Sequence, residues 1–342
     1  MQHRLTAGRL LDENGSLNEA GYATSLIRAY DRAHICSHTL RIKEWDYYLV
    51  YNDRFGVALT IDDNAYMGLV SASFLDFEHN VQKTVSPMFW FPRGTTGFPQ
   101  SSAHGNLAKQ LPCAGFSFTQ ADGKRRLVAH LDRFIGDTPF DCDITLSEEP
   151  RDSMVIATPF AEKKTHFYYN QKIIGMRACG SVAVGGSTHT FDPLESFGLL
   201  DWGRGVWTYN NTWYWGAGHG IVDGHVVGFN IGYGFGDCSA ATENMLFVDG
   251  IAHKLAEVTF HIPQKNGKDD FLTPWTFSSS DGRFEMAFTP VLDRAAKTDV
   301  VLICSDQHQV FGWMDGVMQL DDGTKIELKH FMAFAEKVRN KW

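Results

Sequence analysis

The stretch from Asp201 to Asp237, DWGRGVWTYNNTWYWGAGHGIVDGHVVGFNIGYGFGD, constrains the fold more than any other part of the chain. Its pattern has a period of two, as in a β-strand, so Trp213 and Trp215 are expected on one face and Tyr214 on the other. Asp223-Gly224 then predicts a two-residue turn between antiparallel strands, because both turn residues tolerate positive φ. The segment therefore predicts a β-hairpin.

The return strand of this hairpin is rich in glycine, at positions 228, 232, 234 and 236. Glycine weakens a strand, so a run of it marks a bend, a close backbone approach or a space that side chains would otherwise fill. Aromatic rings on one strand beside a strand without bulky side chains are typical of a cavity wall. We interpret the hairpin as part of a binding cavity, and an aromatic barrel core kinked by glycine is the alternative.

Asp-Gly pairs begin at positions 122, 223, 249, 281, 315 and 322, and five of the six lie after residue 200. Most are flanked by alternating apolar residues, and each predicts a hairpin. Strand-like runs occupy 40–51, 55–62, 65–74, 113–119, 125–131, 140–146, 154–160, 244–249, 255–262, 283–289 and 308–314. We therefore predict an all-β fold of two antiparallel barrels, since closure removes exposed edges and about eight to ten strands leave room for one small ligand.

Helical signals are confined to the ends of the chain. Residues 18–31 have Asn18 as a cap and apolar residues at helical spacing, and the tail 329–341 is a second candidate helix. Segment 85–112 has four prolines, several glycines and no periodic pattern. It is predicted to be a long loop over one barrel end, near the mouth of the cavity.

At 342 residues the chain is longer than one typical domain. The predicted division is an N-terminal arm with a short helix at 1–36, a first barrel at 37–190 and a second barrel at 191–342. A hydrophobic content of 44% is ample for two packed cores. Neither the composition nor the motifs predict an oligomeric state.

The formal charge of −9 argues against a nucleic-acid partner, because no cluster of Lys and Arg is available to bind phosphates. The six cysteines are scattered without metal-ligand spacing, which suits a reducing compartment. The N-terminus has no signal-peptide core, and no apolar run approaches the roughly 20 residues of a membrane helix. We expect a cytoplasmic protein with no membrane span, and peripheral membrane contact stays open.

Asp201 is the candidate catalytic acid. It follows an apolar strand and precedes Trp202 and Trp207, and burial against indoles would keep a carboxyl protonated, as a general acid requires. The alternative is a salt bridge from Asp201 to Arg204 that fixes a strand end. Three histidines in the same region, His189, His219 and His225, are candidates for proton relay, and each has a structural role as its alternative.

Motifs for other chemistries are absent from the sequence: there is no nucleophile elbow, phosphate-binding loop or His-Glu-x-x-His motif. The glycines at 228–236 lie within a strand and do not form a dinucleotide fingerprint. We therefore expect neither a cofactor nor a metal.

Several long segments carry a family resemblance. FYYNQKIIGMRACGSVAVGG at 167–186, GLLDWGRGVW and WYWGAGHG resemble the central signature of an uncharacterised family, the domain of unknown function numbered 2804. The opening segments at 8–23 and 41–68 and the segment at 312–328 are similar to the same family. The resemblance extends over nearly the whole chain.

A more distant resemblance links the Tyr168-Tyr169 pair, the glycine-rich strand and the Asp-Trp-Gly segment to carotenoid 1,2-hydratases. Related groups are the hydroxyneurosporene synthase-like secreted proteins and the fungal pericyclases. This calycin-type resemblance implies two lipocalin-like barrels side by side with an apolar ligand near their junction. It also implies that the aspartate matched by Asp201 protonates an isoprenoid double bond. The histidine that these enzymes place upstream has no matched position here.

Two functional interpretations follow. In the first, the chain binds an apolar isoprenoid or fatty molecule and catalyses a proton-initiated hydration, cyclisation or isomerisation without a cofactor, with tryptophan faces stabilising the cation. In the second, the same cavity belongs to a non-catalytic carrier of lipids or hydrophobic metabolites. The predicted acid is Asp201, and the residues predicted to bind the ligand are Tyr168, Trp202, Arg204, Trp207, Trp213, Trp215 and His219.

Overall fold

The computed structural model describes residues 2–300 and 303–341, and strands account for most of them. The strands up to residue 206 are β1 (Gly8–Arg9), β2 (Gly21–Ala23), β3 (Arg28–Ala29), β4 (Ile42–Tyr51), β5 (Phe55–Asp63), β6 (Met67–Asp76), β7 (Val81–Val85), β8 (Met88–Trp90), β9 (Leu107–Leu111), β10 (Ala114–Ala121), β11 (Lys124–Ile135), β12 (Thr138–Ser147), β13 (Met154–Pro159), β14 (Phe167–Val184), β15 (Ser187–Phe191) and β16 (Phe197–Val206). The later strands are β17 (Asn210–Val222), β18 (His225–Tyr233), β19 (Met245–Val248), β20 (Ile251–Lys254), β21 (Val258–His261), β22 (Gln264–Lys265), β23 (Lys268–Asp269), β24 (Trp275–Ser279), β25 (Phe284–Val300), β26 (Ile303–Gln319) and β27 (Lys325–Lys341).

Two large antiparallel sheets organise these strands. The first has the order β7-β6-β5-β4-β16-β14-β12-β11-β10-β9, with β2, β8, β13 and β15 paired beside this path. The second has the order β20-β19-β18-β17-β27-β26-β25-β24-β21. Both sheets curl into half-barrels, which confirms the predicted all-β, lipocalin-like fold.

Three apolar clusters form the core. One fills the concave side of the first sheet, for example with Phe140 and Trp202, and a second fills the concave side of the second sheet, for example with Phe229 and Trp275. The third contains residues of both sheets, among them Leu199 of β16, and lies between them. The strands at the junction therefore have both faces buried, one against their own half-barrel and one against the other sheet.

The hairpin prediction is confirmed at five Asp-Gly pairs, because those at 122, 223, 249, 281 and 322 each lie between two paired antiparallel strands. The turns that begin at Asp122, Asp223 and Asp249 join paired strands, and both residues of each turn have positive φ. The pair at 315 is a correction, because Asp315 and Gly316 lie inside β26. The register of β26 against β27 shifts between Met314 and Gly316, so this pair marks a β-bulge.

Both predicted helices are wrong. Within 2–300 and 303–341 the helical elements are two 3₁₀ turns, Arg32–His34 and Thr39–Arg41. Segment 18–31 holds β2 and β3, and the side chain of Asn18 donates to the carbonyl of Arg9 instead of capping a helix. The tail 329–341 belongs to β27, which is buried on both faces at residues 331–336, so the run of apolar residues there hides the period of two.

The chain passes from the first sheet to the second between Val206 and Asn210. Strand β16, which the predicted division places in the second barrel, hydrogen-bonds between β4 and β14 of the first sheet. The predicted loop at 85–112 contains the short strands β8 and β9. Among the described residues, no helix has the length and hydropathy needed to span a bilayer.

Candidate functional site

A pocket of about 230 Å³ lies between the two sheets. The first sheet contributes residues of β4, β5, β14 and β16, and the second contributes residues of β17, β26 and β27. These strands meet because the outer faces of the two half-barrels pack together through their shared apolar cluster. We call this site the inter-sheet pocket.

Aromatic side chains form much of the pocket wall. They are Trp45, Tyr47, Tyr168, Trp207, Trp213, Trp215 and Phe235. Their rings contact one another edge to face or in stacks, with Trp45 stacked on Tyr168 at 6.1 Å and Trp207 edge-on to Phe235 at 4.8 Å between ring centroids. Such contacts hold the rings in fixed orientations, so the wall is preformed.

A buried ion pair crosses the floor of the pocket. Lys172 of β14 and Asp201 of β16 are cross-strand partners, and the Lys172 Nζ lies 2.8 Å from the Asp201 Oδ2. The other carboxylate oxygen, Oδ1, accepts a hydrogen bond from the Asn170 side chain at 2.6 Å. The Lys172 ammonium also lies over the ring of Trp215, 3.6 Å from its centroid.

Glu336 of β27 is the second carboxyl group of interest. Its Oε1 accepts from the Trp213 indole N–H at 2.9 Å, and its Oε2 accepts from the Gln309 amide at 3.1 Å. Burial raises the pKa of Glu336 to about 7, although the hydrogen bond from Trp213 and the nearby Lys172 act in the opposite direction. A carboxyl with such a pKa can both donate and accept a proton near neutral pH.

Two further carboxyl groups line the pocket. Burial raises the pKa of Asp62 to about 7 and also raises the pKa of Glu243, whose carboxylate accepts from the Asn230 amide. Together with Asp201 and Glu336 they give the pocket four carboxyl groups, of which Asp201, Glu243 and Glu336 interact with the Lys172 ammonium. The site therefore combines apolar walls with a concentrated group of ionisable side chains.

Five predicted site residues lie together in the pocket lining: Asp201, Tyr168, Trp207, Trp213 and Trp215. Trp202 and Arg204 do not join them. Asp201 faces the second sheet. Residues at odd separation on one strand point to opposite faces. Trp202 and Arg204 therefore face the interior of the first half-barrel.

The predicted alternative, a salt bridge from Asp201 to Arg204, is not observed. The Arg204 guanidinium is fully buried and donates to the Asp46 carboxylate at 2.9 Å and to the Trp45 carbonyl at 2.7 Å. Asp201 is paired with Lys172 instead. Arg204 therefore fixes β4 to β16 from the inner side of the sheet.

The histidines do not gather at the pocket. His219 shares the face of Trp215 on β17 but lies four residues further along, about 13 Å away. It is buried and stacked on Tyr51 at 4.3 Å, and burial lowers its pKa to about 3. His225 lies at the exposed hairpin beside Asp249, and His189 packs against Phe55.

That segment 85–112 lies near the pocket mouth stays a prediction. None of its residues lines the pocket; it covers the inside of the first half-barrel, where the Pro99 carbonyl accepts from Arg204 and Ser102 donates to Gln171. The pocket opens where its lining is only partly buried, at Trp45, Thr60, Asp62, Trp213, Ser305 and Gln307.

Lys172 and Glu336 were missed from the sequence. Each is a charged residue in a mostly apolar stretch of strand, FYYNQKIIGM and FMAFAEKV, and that is the signal that could have identified them. For Glu336 the signal was masked because the tail was assigned to a helix. In a strand, Met332, Phe334 and Glu336 share one face, and that face meets the first sheet.

The fold and the pocket define an all-β protein of two curled sheets with a binding site between them. A family model described as Domain of unknown function (DUF2804) matches residues 2–342, and the chain belongs to this family, as its sequence predicts. No curated protein matches the sequence.

Solved structures are similar to this chain. A candidate ATTH from Nitrosomonas europaea is 13% identical, with a TM-score of 0.55, over 91% of this chain and 97% of that chain. Kievitone hydratase from Nectria haematococca is also 13% identical, with a TM-score of 0.48, over 96% of this chain and 98% of that chain. At this identity the first likeness shows a shared fold alone, and the second is too distant to support an argument.

Proposed function

We propose that the inter-sheet pocket binds a small, mostly apolar molecule and catalyses a proton-initiated hydration, cyclisation or isomerisation of it without a cofactor. The aromatic walls suit an apolar ligand. The volume of about 230 Å³ lies below the roughly 300 Å³ at which pockets for drug-sized ligands begin, so the ligand is small or inserts one end. The resemblance of the sequence to carotenoid hydratases points to the same class of substrate.

The observation that carries this proposal is the carboxyl of Glu336, held by Trp213 and Gln309 in the aromatic wall. A proton donor must be protonated at working pH and must face the substrate. Glu336 meets the first requirement through burial and the second through its place in the lining. Asp201, the acid predicted from sequence, accepts from an ammonium and an amide, so it is better suited to stabilise a positive charge.

The proposed reaction starts with transfer of the Glu336 proton to one carbon of a carbon–carbon double bond. The π electron pair forms the new C–H bond, and the adjacent carbon becomes a cation that the face of Trp213 and the Asp201 carboxylate stabilise. In hydration, a water oxygen then bonds to the cation and its surplus proton returns to Glu336. In isomerisation, the cation instead loses a neighbouring proton to a carboxylate.

The test begins with the identity of the ligand, by native mass spectrometry and lipid extraction of the purified protein. Binding is then measured with a fluorescent fatty acid or retinoid, which should quench tryptophan emission. Absence of quenching across a panel of long-chain ligands would argue against an apolar site. Trp215→Ala should weaken binding, because Trp215 is a buried part of the wall.

The chemical step is tested with Glu336→Gln, which keeps the shape of the side chain and removes its transferable proton. Turnover of the identified ligand should fall by about 10² or more while its affinity changes little. Glu327→Gln is the matched control, because Glu327 is on the same strand but exposed. Full turnover by the Glu336 variant would remove Glu336 from the proton-donor role.

A carrier is the second candidate function, and the pairing of Asp201 with Lys172 favours it, because that pair can serve binding and stability alone. A carrier should release its extracted ligand chemically unchanged after long incubation with the protein. An enzyme should convert it, with a new product visible by mass spectrometry.

A further inference from the structure

An exposed apolar segment lies outside the inter-sheet pocket, on the outer edge of the first sheet. Met88, Trp90 and Phe91 are 55%, 66% and 58% exposed, and Val81 on the neighbouring strand is also exposed. Soluble surfaces carry single apolar side chains routinely, but a cluster of large ones marks an interaction site. We call Met88, Trp90 and Phe91 the edge patch.

The backbone holds the edge patch rigidly. Phe91 has a φ of 52°, a conformation that bulky residues rarely adopt. It persists because the segment is fastened to the sheet: Phe91 N–H donates to the Tyr66 carbonyl, and the Asp63 carboxylate accepts from the Gly94 N–H and the Thr96 hydroxyl. The aromatic ring is therefore presented to solvent by a fixed loop.

The charge around the edge patch differs from that of the rest of the chain. Residues 79–121 contain no aspartate or glutamate, although an even spread of the 40 acidic residues would place about five there. The segment carries Lys83, Arg93 and Lys109. Arg93 lies 5.5 Å from the ring centroid of Phe91 in the edge patch, and Lys109 lies 3.9 Å from that of the neighbouring Phe89.

We propose that the edge patch is a membrane-binding surface that docks on anionic lipid bilayers. Exposed Trp, Phe and Met suit the boundary between headgroups and acyl chains, and Lys and Arg are attracted to anionic headgroups. In a chain with a net charge of −9, an acid-free basic segment is what allows close approach to such a surface.

Strand β7, which precedes the edge patch, borders a depression beside the pocket. Gln307 lines the inter-sheet pocket and a neighbouring depression that Lys83 of β7 and Arg294 border. An apolar ligand, which the proposed function assigns to the pocket, concentrates in bilayers, so docking would bring the protein to its source. This consequence rests on the proposed function, whereas docking itself does not.

The experiment is co-sedimentation of the full chain with vesicles of phosphatidylcholine alone and of phosphatidylcholine with phosphatidylserine. The chain should bind the second kind, and binding should weaken as salt is raised. Trp90→Ser with Phe91→Ser should lower the partition coefficient by roughly tenfold or more. Arg93→Gln and Lys109→Gln should each lower it about fivefold at low salt.

Leu194→Ser is the matched control, because Leu194 is 77% exposed but lies between Asp192 and Glu195. It should bind vesicles as the parent does, and all variants should keep the parent's CD spectrum. Equal losses in Leu194→Ser and in the edge-patch variant would overturn the proposal. Failure of the parent to bind phosphatidylserine vesicles would also overturn the proposal. Self-association through the edge patch without vesicle binding counts as such a failure. None of these results depends on turnover or on a pocket ligand, so the proposed function is tested separately.

Discussion

At the scale of single residues, removing one partner of the Lys172–Asp201 pair should strongly destabilise the protein. Both side chains are buried, and an ammonium left without its partner in the interior costs roughly 3–5 kcal/mol. The pair lies in a wall whose other contacts are largely aromatic. Lys172 is therefore the cation whose charge Asp201 balances.

We expect Asp201→Asn to destabilise the protein by about that amount and Lys172→Met to restore most of the loss in the double variant. Urea unfolding of the parent, both single variants and the double variant gives the coupling free energy of the pair. Arg204→Met, in a parallel cycle, should show little coupling to Asp201. A larger coupling to Arg204 than to Lys172 would contradict the observed pairing.

The alternation of side chains along a strand explains why the alternative pairing of Asp201 with Arg204 is wrong. Asp201 and Arg204 are close in sequence and opposite in charge, which suggested a salt bridge. An odd separation on a continuous strand places them on opposite faces. Trp213, Trp215 and Asp201 could be placed at one site from sequence, whereas Lys172 and Glu336 could not. Lys172 becomes a neighbour of Asp201 through the register of β14 against β16, and Glu336 through packing between the sheets.

Glu336 should leave a signature in the pH dependence of stability. Its pKa rises from an ordinary value of 4.5 to about 7 on folding, so the folded state binds its proton more tightly than the unfolded state. The stabilisation is fully present below pH 4.5 and is lost as the pH rises through 7, a change of about 3 kcal/mol.

Glu336→Gln does not titrate, so its free energy of unfolding relative to the parent should increase between pH 4.5 and 8. Denaturant unfolding of both proteins at several pH values measures this difference, in which the other titrating groups largely cancel. Parallel curves for the two proteins would mean that Glu336 has an ordinary pKa.

At the scale of elements, close approach between strands sets the shape of the pocket. Gly203 on β16 lies opposite Trp45 on β4, and a Cβ there would lie 1.9 Å from the Trp45 ring. The absence of a side chain lets the indole lie flat across the sheet and stack on Tyr168. This glycine is needed for space, because its φ lies outside the left-handed region.

Gly203→Ala should therefore destabilise the protein by roughly 1–3 kcal/mol or more and displace Trp45 from the pocket wall. Trp45→Val should relieve much of this loss in the double variant. Gly115→Ala is the control, since its Cβ would meet the mobile end of the Gln110 side chain. Thermal melts of the four proteins give the comparison, and an equal loss in the control would point to a general effect of glycine replacement.

Sequence patterns predicted the strands better than the helices, for a physical reason. Short runs beside turns, such as 113–119 and 125–131, are predicted correctly because Asp122 and Gly123 in the turn between them have a positive φ that few residues tolerate. The helix prediction at 329–341 is wrong because burial on both faces at 331–336 removes the alternation of apolar and polar residues. The hairpin prediction at Asp315-Gly316 is wrong because a β-bulge and a turn need the same conformationally permissive residues.

At the scale of the whole molecule, the sheets and the predicted domains divide the chain differently. We propose that the first structural unit ends between residues 206 and 210, where the chain changes sheets. The division at 190/191 would remove β16 from the middle of the first sheet and leave β4 and β14 without their shared partner. The two divisions therefore predict different behaviour for fragments of the chain.

A fragment of residues 1–208 should unfold cooperatively in urea with a strand-type CD spectrum, whereas a fragment of residues 1–190 should not. The longer fragment keeps the first sheet's hydrogen-bonded order and its inner apolar cluster complete. It also exposes the face that normally meets the second sheet, so it should be less stable than the full chain and should associate at high concentration. Co-expression with residues 209–342 should cover this face and raise the unfolding midpoint. If residues 1–190 unfold as cooperatively as residues 1–208, then β16 is dispensable to the first unit and the division at 190/191 is the better one.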